Sequence, residues 1–155
     1  MAWLKSQLRN WNRWKRFCRT ERDLVLCAML LLPLVSAMLR VMGLRRTQWV
    51  LLQVCPKRTI VNSQETLSDA HQIASCVEKA SRFCAWQTSC LQTSVALWYL
   101  MRSRGIAGEL RIGVSTAQFK FRAHSWVEHR GVVLGDKYEL QRSYASFAHR
   151  FGSRS

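Results

Sequence analysis

The sequence contains few residues of the types that keep a chain unfolded. It has 2 Pro and 7 Gly in 155 residues, and 48% of the residues are hydrophobic, which excludes a disordered tail and a collagen-like chain. The six cysteines include no CxxC pair, so a small disulfide framework is excluded and free thiols in a reducing compartment are expected. The length is that of one domain.

Acidic residues are also scarce. Lys and Arg number 24 against 9 Asp and Glu, which gives a formal net charge of +15. Residues 1–60 hold twelve basic and two acidic residues (+10), whereas residues 61–155 hold twelve and seven (+5). This surplus attracts nucleic acid, anionic lipid or an acidic protein, and by itself it does not choose among them.

A long uninterrupted apolar run is missing as well. The longest, from Leu24 to Leu39, has 16 uncharged residues, contains Pro33 and is followed by Arg40. A helix that spans a membrane needs roughly 20 apolar residues. A membrane-spanning helix is therefore the second choice, behind a packed helix.

Helical periodicity dominates the first third of the chain. Segment 2–19 predicts a basic amphipathic helix, which is either a solvated packed helix or a contact surface for a membrane or an acidic partner. We expect a basic helical N-terminal region over residues 1–60 and an enzymatic core over residues 61–155.

The capping and breaking residues predict the limits of the next helices. A helix is expected from Thr20 to about Met42, with a kink at Pro33 and a stop at Gly43. A short helix, Gln48–Val54, is expected to follow, because Pro56 ends it.

The second half of the chain changes its periodicity. Thr66 predicts the cap of one helix, and Ser89 with Gln92 predicts a capping box for another, which Gly105 ends. Beyond Gly105 the apolar period changes from 3.6 to 2 residues, which predicts strands near 110–114, 119–128 and 132–134. Helices followed by an antiparallel sheet make the fold class α+β.

Cys90 has the placement expected of a nucleophile. If Ser89 is the N-cap, Cys90 is the first helical residue, beside unpaired backbone N–H groups at the positive end of the helix dipole, which favours the thiolate. None of the other five cysteines has this placement. A small buried hydrophobe remains the ordinary alternative for any one cysteine.

A histidine and an aspartate complete a candidate triad. A three-residue turn, His129–Gly131, would place His124 opposite Asp136 on one face of a hairpin. The carboxylate would then orient the imidazole and leave its other nitrogen for a thiol. Cys90, His124 and Asp136 together make the arrangement used for thiol-based acyl transfer.

Five short sequence segments resemble the leader peptidases of lasso-peptide biosynthesis. They are Cys90–Leu97 (CLQTSVAL), Arg102–Ile106 (RSRGI), Ile112–Val114 (IGV), Ala123–Glu128 (AHSWVE) and Val133–Asp136 (VLGD). That family is similar to the transglutaminase and papain class of cysteine enzymes. Ala107 stands where the family often has Pro and Ser125 where it often has Ala, and neither departure touches the triad.

The resemblance implies a fold and an activity. The fold would be a transglutaminase/papain-like core whose nucleophile begins a helix packed on an antiparallel sheet. Cys90 would be the nucleophile, His124 the base and Asp136 its partner. The enzyme would be a cysteine protease that removes the leader from a lasso-peptide precursor and frees the core N-terminus for macrolactam formation.

The resemblance also implies partners and a location. The expected partners are the precursor peptide, a leader-peptide-binding protein and an ATP-dependent macrolactam-forming enzyme, since this chain has no phosphate-binding glycine loop. No metal and no other cofactor is expected, and no nucleic acid. The expected location is the cytoplasm, with contact to the inner membrane surface as a further hypothesis.

Further residues are candidates around the triad. The Cys90 N–H is expected to bind the oxyanion, and Gln87 and Trp86 are candidates for the second donor. Trp126 and Glu128 share the face of His124, where they either line a substrate groove or form a plain exposed strand face.

Two other functions stay open at this point. One keeps the triad but performs transglutaminase-like amide transfer or deamidation. The other is a non-enzymatic basic module that binds nucleic acid or a membrane, suggested by the charge. The sequence shows no nucleic-acid-binding motif, and its charge is concentrated away from the predicted sheet.

Overall fold

Three helices and a four-stranded sheet form the fold in a computed structural model of the chain, which describes residues 21–56, 65–84, 87–115, 122–135 and 145–151. The elements are α1 (Glu21–Val54), α2 (Glu65–Phe83), α3 (Cys90–Ser103), β1 (Glu109–Ser115), β2 (Arg122–His129), β3 (Val132–Leu134) and β4 (Ala145–Phe151). The strand order is β3-β2-β1-β4, and all neighbours are antiparallel. The α+β class is confirmed. The helix predicted over 2–19 lies outside the described residues.

The first helix differs from its predicted limits. α1 continues to Val54, and its backbone leaves helical dihedrals at Gly43, with φ 73° and ψ 174°. Glycine adopts a positive φ without steric cost, so two helical segments meet there. The predicted stop at Gly43 is therefore a break after which the helix resumes at once. Pro33 lies inside the helix, and the kink expected there stays a prediction.

The middle of α3 forms the centre of the core. All residues from Ser94 to Met101 are buried. α1 and α2 pack against this helix, and the sheet covers it through Leu110, Val127 and Leu134. Since α1 contributes Leu24, Ala28, Leu31, Leu32 and Val35 to the same core, the described part of the N-terminal region is packed with the rest. The division into regions 1–60 and 61–155 stays a prediction.

The register of the β2–β3 hairpin differs by one residue from the predicted one. Val127 pairs with Leu134 and His129 with Val132, so the turn has two residues, Arg130 and Gly131. Both have a positive φ, 53° and 77°, as a type I′ turn requires. The prediction of a three-residue turn is wrong. It assumed that only Gly131 takes the left-handed conformation, whereas Arg130 takes it as well.

His129 connects three parts of the fold. Its Nδ1 lies 2.6 Å from the Ala107 carbonyl oxygen, and its Nε2 lies 3.0 Å from the Thr66 hydroxyl. A carbonyl only accepts, so Nδ1 carries the hydrogen and Nε2 accepts from Thr66. The imidazole thus joins the end of β2, the start of α2 and the α3–β1 connection. Because α2 begins at Glu65, Thr66 is its second residue instead of the predicted cap.

Replacement of His129 by alanine is expected to lower the free energy of unfolding by about 2–3 kcal/mol, because the buried imidazole and its two part-buried hydrogen bonds are lost. Urea denaturation of the full chain measures this. His71 is exposed on α2 and provides the matched control. Equal effects of His129→Ala and His71→Ala would contradict the role of the buried imidazole.

Candidate active site

The predicted capping box forms at the start of α3. The Ser89 hydroxyl accepts a hydrogen bond from the Gln92 N–H at 3.3 Å, and the Gln92 carboxamide oxygen accepts one from the Ser89 N–H at 3.0 Å. The Ser89 carbonyl accepts from the Thr93 N–H at 3.1 Å. Cys90 is thus the first residue of the helix, as predicted.

The same glutamine fixes this turn to α1. The Gln92 amide nitrogen donates to the Ser36 hydroxyl at 2.9 Å, while its oxygen is used in the cap. Ser36 is itself buried. One carboxamide therefore sets both the local conformation before Cys90 and the position of that turn on the long helix.

Two backbone donors remain beside the Cys90 thiol. The cap uses the N–H groups of Ser89, Gln92 and Thr93, so it leaves those of Cys90 and Leu91. They lie at the positive end of the α3 dipole, where an oxyanion is stabilised. The candidate second donor Gln87 is exposed just before the cap. Trp86 lies outside the described residues.

The other described cysteines have different surroundings. Burial raises the pKa of the Cys76 thiol, and the Glu21 carboxylate raises it further. Burial also raises the pKa of Cys84. Cys27 is disulfide-bonded, which corrects the expectation that every cysteine is a free thiol. Cys90 is a free thiol and partly exposed. Of the described cysteines, it is the only one that begins a helix.

A direct contact joins α3 to β2 close to His124. The Ser94 hydroxyl donates to the Ser125 carbonyl at 2.9 Å, and the two hydroxyls are 3.4 Å apart. Farther along, Met101 and Val127 lie together against Gly108. α3 and β2 therefore run in the same direction, and the N-terminus of α3 meets the end of β2 that carries His124.

Strand alternation decides which face His124 occupies. Ser125 and Val127 lie towards α3, so His124, Trp126 and Glu128 share the other face of β2. The structure thus brings the Cys90 turn and the backbone of the His124 segment to one end of the helix–sheet interface, while the imidazole lies on the face of β2 away from α3. The contact itself is made by Ser125 and not by the imidazole. On its β1 side His124 pairs with Gly113, which has no side chain to fill the neighbouring space.

The imidazole of His124 belongs to a chain of contacts on that face. It stacks on the Trp126 ring with 6.2 Å between centroids and 21° between planes. The Trp126 indole N–H donates to Glu128 at 2.8 Å. Arg111 on β1 forms ion pairs with Glu128 at 3.2 Å and with Glu109 at 2.7 Å. Trp126 is buried and Glu128 half-buried, so the solvent screens this network only in part.

Asp136 lies outside the described residues. The predicted hairpin register, in which Asp136 lies opposite His124, does not form. Val127 and not Trp126 pairs with Leu134. The register therefore no longer supports Asp136. Its place in the triad stays a prediction from the resemblance alone.

A narrow cleft opens beside the turn that follows Cys90. Its empty volume is about 290 Å³, and it lies between α2, α3 and the hairpin. The lining is small or apolar apart from one carboxylate and three hydroxyls: Ala74, Val77, Glu78, Thr93, Ser94, Leu97, Ser125, Trp126, Leu134 and Gly135. In the part of the chain that the structure describes, no cluster of three His, Cys, Asp or Glu side chains is arranged to hold a metal ion.

Sequence reasoning missed the residues that support the site from a distance. Ser36 contacts Gln92 in the Cys90 cap, Ser94 contacts Ser125 beside His124, and Arg111 contacts Glu128. Each is a polar residue within an apolar or alternating pattern, which is a weak signal. The partners of Ser36 and Ser94 lie on other elements, so no local spacing identifies them.

Comparison with protein families gives one match. The family model that matches is described as the transglutaminase-like superfamily, and it covers residues 29–149. No curated protein and no solved structure matches the chain significantly. The matched range includes most of α1, most of β4 and all of the elements described between them.

Replacement of Gln92 by alanine is expected to lower the free energy of unfolding by about 1–2 kcal/mol, because the cap loses one bond and Ser36 loses its partner. Thermal or urea unfolding measures the change. Gln72 is exposed on α2, so Gln72→Ala is the control and should cost much less. A stability of Gln92→Ala equal to that of the control would contradict the double role of this carboxamide.

Proposed function

Because the chain belongs to the transglutaminase-like superfamily, which includes cysteine peptidases and transglutaminases, we propose that it is a cysteine peptidase with Cys90 as its nucleophile. The observation that carries the proposal is the capped start of α3. The cap leaves a free, partly exposed thiol beside two backbone N–H groups that it does not use. This is the local geometry that an acyl-transfer nucleophile needs.

The proposed reaction is the hydrolysis of one peptide bond. His124 takes the Cys90 proton, and the sulfur attacks the scissile carbonyl to give a tetrahedral oxyanion. The Cys90 N–H binds the oxyanion, with Gln87 or Trp86 as the second donor. His124 then protonates the leaving amine, which departs as the C–N bond breaks and leaves a thioester on Cys90.

Water completes the cycle. His124 removes a proton from the water as it attacks the thioester, and the carbon–sulfur bond breaks. The products are a carboxylic acid and the Cys90 thiol, which regains its proton from His124. Asp136 is proposed to orient the imidazole and stabilise its charged form.

The proximity of two chain segments supports the pairing of Cys90 with His124. Ser94 lies one helical turn after Cys90, about 6 Å along the axis, and it contacts the residue that follows His124. Catalytic hydrogen bonds are often long or misaligned before substrate binds and shorten in the complex.

Trp126 and Glu128 are proposed to hold the imidazole in place as well as to border the substrate groove. The stacked indole restricts rotation of the His124 ring, and its own N–H is fixed by Glu128. Arg111 in turn holds the Glu128 carboxylate. Such support of a general base by its neighbours is what precise proton transfer requires.

The proposed substrate is the precursor of a lasso peptide. The resemblance over residues 86–136 supports removal of its leader, after which an ATP-dependent partner enzyme would form the macrolactam. A leader-binding protein would deliver the precursor. The cytoplasm, where such a precursor is synthesised, is the proposed location.

A second candidate function keeps the same nucleophile. The superfamily includes transglutaminases, so an amine could replace water at the thioester and give amide transfer, or a glutamine side chain could be the acyl donor and be deamidated. Product masses separate these reactions. Proteolysis gives two fragments, deamidation raises the mass by about one unit, and transfer gives a cross-link.

Replacement of Cys90 by alanine is expected to reduce cleavage of a lasso precursor, in the presence of its leader-binding protein, by at least about a thousandfold. Mass spectrometry of the products measures this. Cys84→Ala is the matched control, because that thiol is half-buried at the end of α2. Cleavage by Cys90→Ala at the wild-type rate would refute the proposal.

Two further variants separate the roles within the triad. His124→Ala is expected to abolish turnover, whereas Asp136→Asn should leave weak activity if the carboxylate only orients the ring. Full activity of Asp136→Asn would remove Asp136 from the triad without affecting Cys90. Salt-sensitive binding of nucleic acid by a protein with an unreactive Cys90 would instead favour the non-enzymatic alternative.

Replacement of Trp126 by phenylalanine keeps a ring against His124 but removes the bond to Glu128. We expect kcat to fall about tenfold with KM nearly unchanged. This corresponds to a loss of about 1.4 kcal/mol of transition-state stabilisation. Steady-state kinetics measures both constants. Trp49 is exposed on α1, so Trp49→Phe is the control. A rise in KM alone would show that Trp126 lines the groove without positioning the base.

A further inference from the structure

One face of α1 is apolar and exposed in the described part of the chain. Leu26, Leu30, Leu34, Ala37 and Val41 follow one another at intervals of three or four residues, so they form a single stripe, here called the leucine face. Leu26, Leu30 and Leu34 are 58%, 53% and 41% exposed, and Val41 is 82% exposed. Every exposed residue between Leu24 and Leu39 belongs to this face.

The opposite side of α1 explains why this face is not part of the core. Leu24, Ala28, Leu31, Leu32 and Val35 pack against α2 and α3. The leucine face therefore extends about 22 Å along the outside of the molecule. A contiguous apolar surface of this kind marks an interaction site.

We propose that the leucine face docks the protein on the surface of an anionic lipid bilayer. The face offers only aliphatic side chains, whereas protein interfaces combine apolar groups with hydrogen-bonding ones. Hydrocarbon chains need no such groups. The proposal does not depend on the chemistry of Cys90.

Charges at both ends of the face support an anionic lipid as the occupant. Arg22 precedes it, Arg40 lies beside its last residue, and Arg45 and Arg46 follow, all of them exposed. Exposed basic residues beside an apolar helix face attract anionic headgroups. Trp49, 63% exposed beyond the Gly43 break, is of the type enriched at the membrane–water boundary.

The packing of α1 favours docking over crossing. α1 is the one helix in the described part of the chain that is long and apolar enough to span a membrane, and 33% of its most apolar window is buried in the protein. Spanning would carry α2 into the hydrocarbon, together with its exposed Glu78–Arg82 ion pair. A helix in the plane of the bilayer surface keeps both the core and the charges in place.

The test uses the full chain and vesicles of phosphatidylglycerol with phosphatidylethanolamine, compared with vesicles of phosphatidylcholine alone. Wild type is expected to cosediment with the anionic vesicles, and the double variant Leu30→Glu, Leu34→Glu to bind at least about tenfold more weakly. Phe83→Glu, at an exposed apolar position on α2, is the matched control and should bind like wild type. Circular dichroism verifies that each variant is folded.

A second variant keeps the test decisive if the double variant does not fold. Arg45→Gln with Arg46→Gln changes only exposed side chains and should weaken binding to anionic vesicles, as should raised salt. Absence of binding by wild type, or unchanged binding by folded leucine-face variants, would overturn the proposal. Self-association that Leu30→Glu abolishes, without vesicle binding, would assign the face to a protein partner. Retention in membranes after an alkaline carbonate wash would show a spanning helix instead.

Discussion

Burial of the middle of α3 on all sides is the constraint from which the arrangement of the other described elements follows. A helix without a polar face must be surrounded, and α1, α2 and the sheet together cover Ser94 to Met101. The first turn of α3 lies just outside this buried stretch. Its unpaired N–H groups have to be satisfied by a cap, and the Ser89–Gln92 box does so while leaving Cys90 partly exposed.

The candidate site is therefore held from two directions. Gln92 ties the Cys90 turn to Ser36 on α1, and Ser94 ties the following turn to Ser125 on β2. On the other face of β2, Trp126 and Glu128 restrict His124. One side of α1 supports the core behind the thiol, and the other side presents the leucine face. The proposed chemistry and the proposed docking would thus use opposite faces of one helix.

Much of the fold could be predicted, and the failures have identifiable physical causes. The capping box and the change of period after Gly105 were both correct, because each depends on residues a few positions apart. The hairpin register was wrong because Arg130 takes a positive φ of 53°, which the pattern reserved for glycine. β4 was not predicted, since Ala145–Phe151 has no clean alternation and pairs with a distant strand across an irregular register.

The sequence by itself determined the local chemistry of Cys90. The order of Ser89, Cys90 and Gln92 is enough to place the thiol at a helix start, because every bond of the cap joins residues at most four positions apart. Only the tertiary structure decided what surrounds it. The partner of Gln92 lies 56 positions away on α1, and the partner of Ser94 lies 31 positions away on β2. Such contacts depend on how whole elements pack, and no local pattern in the chain encodes them.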